Sequence, residues 1–233
     1  ERCTLPAETW KTSGAGYEEV NVPAPAPIVP DVSDLLPVSS LPEYFQAAFQ
    51  GVDRLNYIQS AAAPAILDTD DNVLVCAPTG AGKTNVALLA ILKTLIGDAT
   101  SKRVDSVTSK VVYIAPMKAL VQEMVRTFSA RLAPLGLTVC ELTGDQQTSR
   151  SQLADSHLIV ATPEKWDVVT RKADDLSYTR AVRLVIIDEI HLLHDERGPV
   201  LESIVSRVLR HGDEWREWTR IVGLSATLPN YED

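Results

Sequence analysis

The sequence predicts an α/β fold, a mostly parallel sheet with helices on both faces, preceded by an extended N-terminal arm. Three observations predict it. From residue 73 onward, short apolar runs alternate with segments whose apolar residues recur every three or four positions, the pattern of βαβ units. The first run, VLVC at 73–76, passes into the glycine loop APTGAGKT and then into an apolar helical segment. Seven of the fourteen prolines fall in residues 1–42, including the run VPAPAP, which favours polyproline-type backbone over helix or sheet.

Residues 1–42 are accordingly assigned to the arm and residues 43–233 to the α/β domain. Tyr17, Val20, Val22, Ile28, Leu35 and Leu36 suit an arm docked on a neighbouring surface, the alternative being a disordered linker. Residues 43–51 read as a short helix stopped by Gly51. Strands are expected at 73–76, 111–115, 138–142, 158–161, 184–188 and 221–224, and helices at 84–96, 118–133, 163–171 and 199–211. The polar insert 97–110 reads as a surface loop.

The 233 residues can bury one large core, or one core with an appended arm. No apolar run approaches the about 20 residues of a membrane span, so no membrane partner is expected. The start at Glu1 and the end just after a strand-and-turn pattern read as those of a piece of a longer chain, with no secretory signal. Three cysteines cannot all pair, and Cys76 and Cys140, in apolar strand patterns, are expected as buried thiols. No CxxC pair proposes zinc, and His191 and His194 read as structural. The net charge of −9 argues against a broad basic face gripping nucleic acid. Since −5 of it lies in the first 50 residues, the body is near neutral and any nucleic-acid contact must be local.

The loop after the first strand has the chemistry of a triphosphate site. Backbone N–H groups of Thr79, Gly80, Ala81 and Gly82 can turn toward a β-phosphate, Lys83 can reach the β- and γ-phosphates, and the Thr84 hydroxyl can ligate Mg²⁺. Ala77 stands where the strict GxxxxGK[ST] pattern has its first glycine. In RLVIIDEIH a buried strand delivers two carboxylates at its C-terminal end, where ligands of parallel sheets bind. Asp188 is placed to hold Mg²⁺ and Glu189 to orient and deprotonate an attacking water. Alone, such a pair would read as a helix cap or a solvated turn. In GLSATL, Ser225 and Thr227 follow another strand and can hydrogen-bond that acidic strand end, coupling it to the state of the γ-phosphate.

The order APTGAGKT, APMKAL, TGD, ATPEKW, DEIH, SAT across residues 77–227 resembles the motif series of superfamily-two helicases of the DEIH-box kind, and specifically their first RecA-like domain. The family's phosphate loop is similar to A-x-x-G-x-G-K-T, which accounts for Ala77. The resemblance implies ATP and Mg²⁺ as cofactors, groups His191 with the catalytic residues as a link to the nucleic-acid site, and makes Gln59, in LNYIQS, a reader of adenine. It implies that three loops line a single strand's backbone: Pro116 and Lys118, Thr143 and Gly144, and Thr162, Pro163 and Lys165. Loop N–H groups and helix N-termini bind phosphates without a basic surface, which is consistent with the acidic charge. Taken singly, each loop is an ordinary capped turn, and Trp166 reads as core packing.

GYEEVNVP, LLPVSSLPEYFQAAFQG, VQEMV, TPEKWDVVTRK and HLLHDERGPVLESIV extend the likeness to RNA helicases of the spliceosome. A related branch in transcription and repair complexes is similar over the same blocks but tends toward DEVH, so Ile190 favours the spliceosomal branch. That branch implies 3′-to-5′ translocation on single-stranded RNA, unwinding of small nuclear RNA duplexes, spliceosomal scaffold partners and a nuclear location. A DNA or RNA translocase of repair and a non-catalytic nucleotide-binding scaffold remain the alternatives; intact Lys83, Thr84, Asp188 and Glu189 speak against the scaffold. The resemblance places an arginine finger in a second RecA domain, and such a finger is worth about 10³ to 10⁵ in rate. Residues 1–233 alone are therefore expected to bind ATP weakly and to unwind negligibly. Displacement of a tailed duplex by this fragment with ATP would contradict that.

Overall fold

The computed structural model describes residues 5–24, 31–96, 109–144, 149–171, 177–194, 197–215, 218–226 and 228. The chain divides into two compact units, Glu1–Val32 and Ser33–Asp233.

In the first unit β1 (Trp10–Gly14) and β2 (Tyr17–Asn21) form an antiparallel hairpin, with Gly14 opposite Tyr17. The sequence reading expected extended arm here. The turn is made by Ala15-Gly16, with Gly16 at φ 90°, a left-handed conformation that glycine adopts without a Cβ penalty. Pro25, Pro27 and Ile28 lie outside the described residues.

The second unit begins ten residues before the expected boundary at 42, because its first residues are core. Val38 and Leu41 are buried and Leu36 packs beside them. Backbone bonds from Val38 N to Asp53 O and from Leu55 N to Leu36 O, both 2.9 Å, tie this stretch down. The expected helix at 43–51 is α1 (Glu43–Gln46) followed by a 3₁₀ turn at Ala47–Phe49, with Gly51 at φ 79°. Next comes α2 (Tyr57–Leu67).

The apolar runs then become strands, in chain order β3 (Val73–Cys76), α3 (Lys83–Ile96), β4 (Lys110–Ile114), α4 (Lys118–Leu132), β5 (Val139–Leu142), α5 (Arg150–Asp155), β6 (Leu158–Ala161), α6 (Pro163–Arg171), α7 (Ser177–Arg180), β7 (Val182–Ile187), α8 (Gly198–Trp215) and β8 (Arg220–Ser225). All six strands pair in parallel in the order β3-β8-β7-β4-β6-β5. Side chains alternate across the pleat. Val111, Tyr113, Leu184 and Ile186 join a core with α2, α3 and α4, while Val112, Ile114, Val185 and Ile187 join a second core with Trp166 of α6 and Leu201 and Ile204 of α8. Helix α3 is apolar on every side because it is sandwiched: Val86 through Leu92 are all fully buried. The result is the expected RecA-like α/β architecture.

Three local expectations are corrected, and two short helices were not foreseen. Cys76 is exposed because β3 is an edge strand, and Cys140, on the opposite edge strand β5, is half-buried. Lys110, assigned to the polar insert, is a buried residue of β4 whose Nζ donates to Ser156 O at 2.6 Å and to Ala154 O; the remainder of the insert, 97–108, lies outside the described residues. Helix α5 was missed although Ser149 and Gln152 form a reciprocal capping box, a readable S-x-x-Q signal. Helix α7, four residues long, was missed as well. Among the described residues no helix is long and apolar enough to cross a membrane.

Helices α6 and α8 are joined through a buried carboxylate, Asp167, paired with partly buried Arg207 and exposed Arg171. Asp167 accepts from Arg171 one turn on, at 2.8 Å, and from Arg207 of α8. Burial alone would raise the Asp167 carboxyl, but the two guanidinium groups outweigh it and hold the pKa below the usual range. A depressed carboxylate pKa adds stability above the unfolded value, near pH 4, that is lost as pH falls. Asp167→Asn is expected to cost roughly 1–3 kcal/mol at neutral pH and to flatten the acid limb of a thermal-unfolding series.

Candidate functional site

Parallel strands in register end at one edge of the sheet, and the chemistry gathers there. Cys76 pairs with Ser225, Ile187 with Gly223, Ile114 with both Ile187 and Ala161, and Leu142 with Ala161. The residues that follow are therefore level with one another. The phosphate loop, Ser225 and the Asp188-Glu189 pair leave from β3, β8 and β7. The three expected nucleic-acid loops leave from β4, β6 and β5, so the edge has two adjoining halves.

The phosphate loop is closed by Ala77 N donating to Ser225 O at 3.0 Å, and Gly80 and Gly82 hold φ of 82° and 83°. Lys83 is 8% exposed and its Nζ folds back over the loop, donating to Ala77 O at 2.7 Å and Pro78 O at 3.3 Å. Thr79 and Gly80 are exposed, whereas Ala81, Gly82 and Thr84 are half-buried.

Helix α2 braces this loop. Asn56 caps α2 and, with Gln59, forms a capping box: Asn56 Oδ1 accepts from Gln59 N at 2.9 Å and Gln59 Oε1 accepts from Asn56 N at 3.0 Å. Their amide N–H groups reach across, Asn56 Nδ2 to Ala81 O at 2.8 Å and Gln59 Nε2 to Gly82 O at 3.0 Å. Gln59, expected as an adenine reader, is thus 4% exposed and engaged with the loop backbone. One amide hydrogen and one lone pair of its side chain are outside these bonds.

At the tip of β7, Asp188 N donates to Ile114 O at 2.9 Å. Its carboxylate receives Tyr113 Oη on Oδ2 at 2.6 Å and Glu189 N on Oδ1 at 3.0 Å. Burial, helped by the neighbouring Glu189 charge, raises the Asp188 pKa; the Tyr113 bond, the Glu189 N–H and the Lys83 charge oppose this rise without reversing it. Burial, then the Asp188 charge, push Tyr113 well above its ordinary value, so the phenol keeps its proton. Glu189 sits at φ 53°, rare for a side chain with a Cβ, and its buried Oε2 has no hydrogen-bond partner among the described residues. That oxygen lies 3.3 Å from His191 Nδ1, without hydrogen-bond geometry, and the same nitrogen is 3.4 Å from Ser225 Oγ. Thr227 lies outside the described residues.

Among the described residues no three acidic, histidine or cysteine side chains cluster as a metal site. The oxygens present suit magnesium nonetheless: Mg²⁺ takes one or two hard oxygens from protein and the rest from phosphates and water. Asp188, Thr84 and the unpartnered Glu189 oxygen are of that kind.

In the other half, Lys118 is exposed at the start of α4, and Lys165 is half-buried in the first turn of α6. Pro163 opens α6 and is buried, with Thr162 half-buried before it; Trp166 is core, as expected. Thr143 differs from expectation in presentation. It is 1% exposed and donates to Glu141 Oε1 at 2.9 Å, so this loop presents Gly144 instead. Asp145 lies outside the described residues. The sequence reading also missed Arg197, which donates to Pro116 O and pairs with Glu164 at 3.2 Å, joining two of the three loops.

A family model for the DEAD/DEAH box helicases matches residues 56–233. The chain is 55% identical over 233 residues to pre-mRNA-splicing factor brr2 of Schizosaccharomyces pombe, covering 98% of this chain. It is 52% identical over 238 residues to the U5 small nuclear ribonucleoprotein 200 kDa helicase of Homo sapiens, covering all of it. It spans 11% of the length of either relative. The solved structure of the DUF1998 helicase MrfA bound to DNA and AMPPNP shares the fold, with a TM-score of 0.67 at 22% identity over 84% of this chain and 28% of that one.

A Cβ at position 82 would lie 2.2 Å from Gln59 Nε2, at a φ of 83° that side chains avoid. Strain of about 1–3 kcal/mol follows for Gly82→Ala. A fluorescent-nucleotide titration is expected to show affinity reduced roughly tenfold or more.

Proposed function

Because this chain belongs to the DEAD/DEAH box helicase family, we propose that it is the ATP-binding half of an ATP-dependent RNA helicase that unwinds small nuclear RNA duplexes during pre-mRNA splicing in the nucleus. The second RecA domain, further domains and spliceosomal scaffold proteins are its partners, and single-stranded RNA, tracked 3′ to 5′, is its substrate. The observation that carries the reading is that Lys83, Asp188, Glu189 and His191 meet at one edge of the sheet, with three loops level beside them, two of which open helices α4 and α6.

Within this reading each residue has a task set by its position. Lys83 exchanges its bonds to Ala77 O and Pro78 O for the phosphates, while the N–H groups at Thr79 to Gly82 cradle them. Asp188 and Thr84 hold Mg²⁺, which when bound neutralises charge developing on the β- and γ-phosphate oxygens. Glu189, with a free lone pair on Oε2, orients the attacking water and takes its proton. His191, within 3.4 Å of both Glu189 and Ser225, relays the state of this site to the end of β8. Lys118, Lys165 and the backbone N–H groups of Thr143, Gly144 and Thr162 contact the strand's phosphates, while Pro116 and Pro163, which carry no N–H, set the shape of their loops. The likeness to spliceosomal relatives at 52–55% identity supports RNA as that strand.

In the full-length protein Lys83→Ala should abolish nucleotide binding and turnover. Glu189→Gln should abolish turnover with binding retained, and undiminished hydrolysis there would remove the base assignment. RNA strands should stimulate the ATPase and DNA strands should not; the opposite preference would favour a repair translocase.

A further inference from the structure

Tyr113 is a polar side chain where an apolar one would be expected. It occupies β4, a central strand, and points into the core built with α3 and α4, where it is fully buried and meets Phe128 edge-on, ring centroids 5.3 Å apart. A phenol in such surroundings needs a hydrogen-bond partner, because an unmet hydroxyl in an apolar core is costly. Its partner is a carboxylate on the neighbouring strand's end, Asp188, at 2.6 Å.

The arrangement constrains Asp188 on both oxygens. Oδ2 is held from beneath by Tyr113, whose ring is itself wedged against Phe128, and Oδ1 by the N–H of Glu189. A carboxylate on a strand tip would otherwise turn about its terminal torsion, which is broad and shallow. The pair also crosses from β4 to β7, the junction between the two halves of the edge.

We propose that Tyr113 is a positioning residue for metal binding, its hydroxyl holding the Asp188 carboxylate in one orientation so that the lone pairs left on it face the magnesium-nucleotide. The inference rests on the assignment of Asp188 to Mg²⁺ and adds the residue that sets its orientation. Groups that orient metal-binding carboxylates alter metal affinity or activity by about 10- to 100-fold when removed.

The test uses the full-length protein with Tyr113→Phe, which deletes one oxygen and keeps the ring. Fluorescent-nucleotide affinity is measured with and without Mg²⁺, alongside kcat and thermal melting. Magnesium-dependent tightening of nucleotide binding should weaken about tenfold, with metal-free affinity unchanged and a higher Mg²⁺ concentration needed for half-maximal rate. Phe128→Leu serves as the control, since it loosens the same cluster and leaves the hydroxyl in place: it should lower the melting temperature and spare the magnesium response. A wild-type magnesium response in Tyr113→Phe, an equal loss in Phe128→Leu, or a Tyr113→Phe variant that does not fold would each overturn the proposal, the last two by making the role one of stability. Asp188→Asn separates this inference from the reading beneath it. If that variant keeps the full magnesium response, the metal assignment itself fails; if it loses the response while Tyr113→Phe keeps it, only the role of Tyr113 falls.

Discussion

The whole site depends on one constraint: a six-stranded parallel sheet whose central strands β8, β7, β4 and β6 are buried on both faces. Such strands carry mainly apolar side chains along their length, so polar groups gather at the strand ends. Because the strands run in one direction and in register, the ends from which the loops leave are level. Ligand chemistry on non-adjacent β3 and β7, separated in sequence by about a hundred residues, is thereby brought to one line. Of the polar side chains buried within the sheet, Tyr113 and Lys110 are each matched: one to Asp188, the other to the carbonyls of Ala154 and Ser156.

The phosphate loop depends on a second frame. Helix α2 is fastened at both ends, by Asn56 and Gln59 to the loop carbonyls and by Arg220, which donates to Ala65 O, Ile66 O and Asp71 O at 2.7–2.8 Å. Arg220 opens β8, and Ser225, which closes it, lies beside His191 and accepts from Ala77 N. Loop, helix and strand therefore form a closed circuit of short contacts that holds the phosphate loop. A guanidinium is suited to the far end, since its planar array of donors can satisfy several helix-terminal carbonyls at once.

Local rules give way at Glu189. A left-handed backbone and a buried carboxylate oxygen without a partner coincide on this residue, where folding alone would favour neither. Strain and unmet polarity are sustained by the surrounding packing, from Ile187 in the core to the 3₁₀ turn at Ile190–His194.

Strand runs were legible because each is an unbroken apolar stretch between polar segments, and 73–76 and 158–161 match to the residue. The phosphate loop, the acidic strand end and their order were legible because each needs particular residue types at fixed spacing. The hairpin at Trp10–Asn21 was not, since its strands are almost wholly exposed and carry little hydrophobic alternation. Nor was the exposure of Cys76, because the sequence of a strand does not say whether it lies at an edge. By itself the sequence determined the α/β class and the residues that could hold a nucleotide, through periodicity and local motif chemistry. Only the tertiary structure decided that Gln59 braces the loop, that Thr143 faces inward and that Tyr113 reaches Asp188. Those outcomes depend on which strands become neighbours and in what register, a choice made by long-range packing that no local pattern encodes.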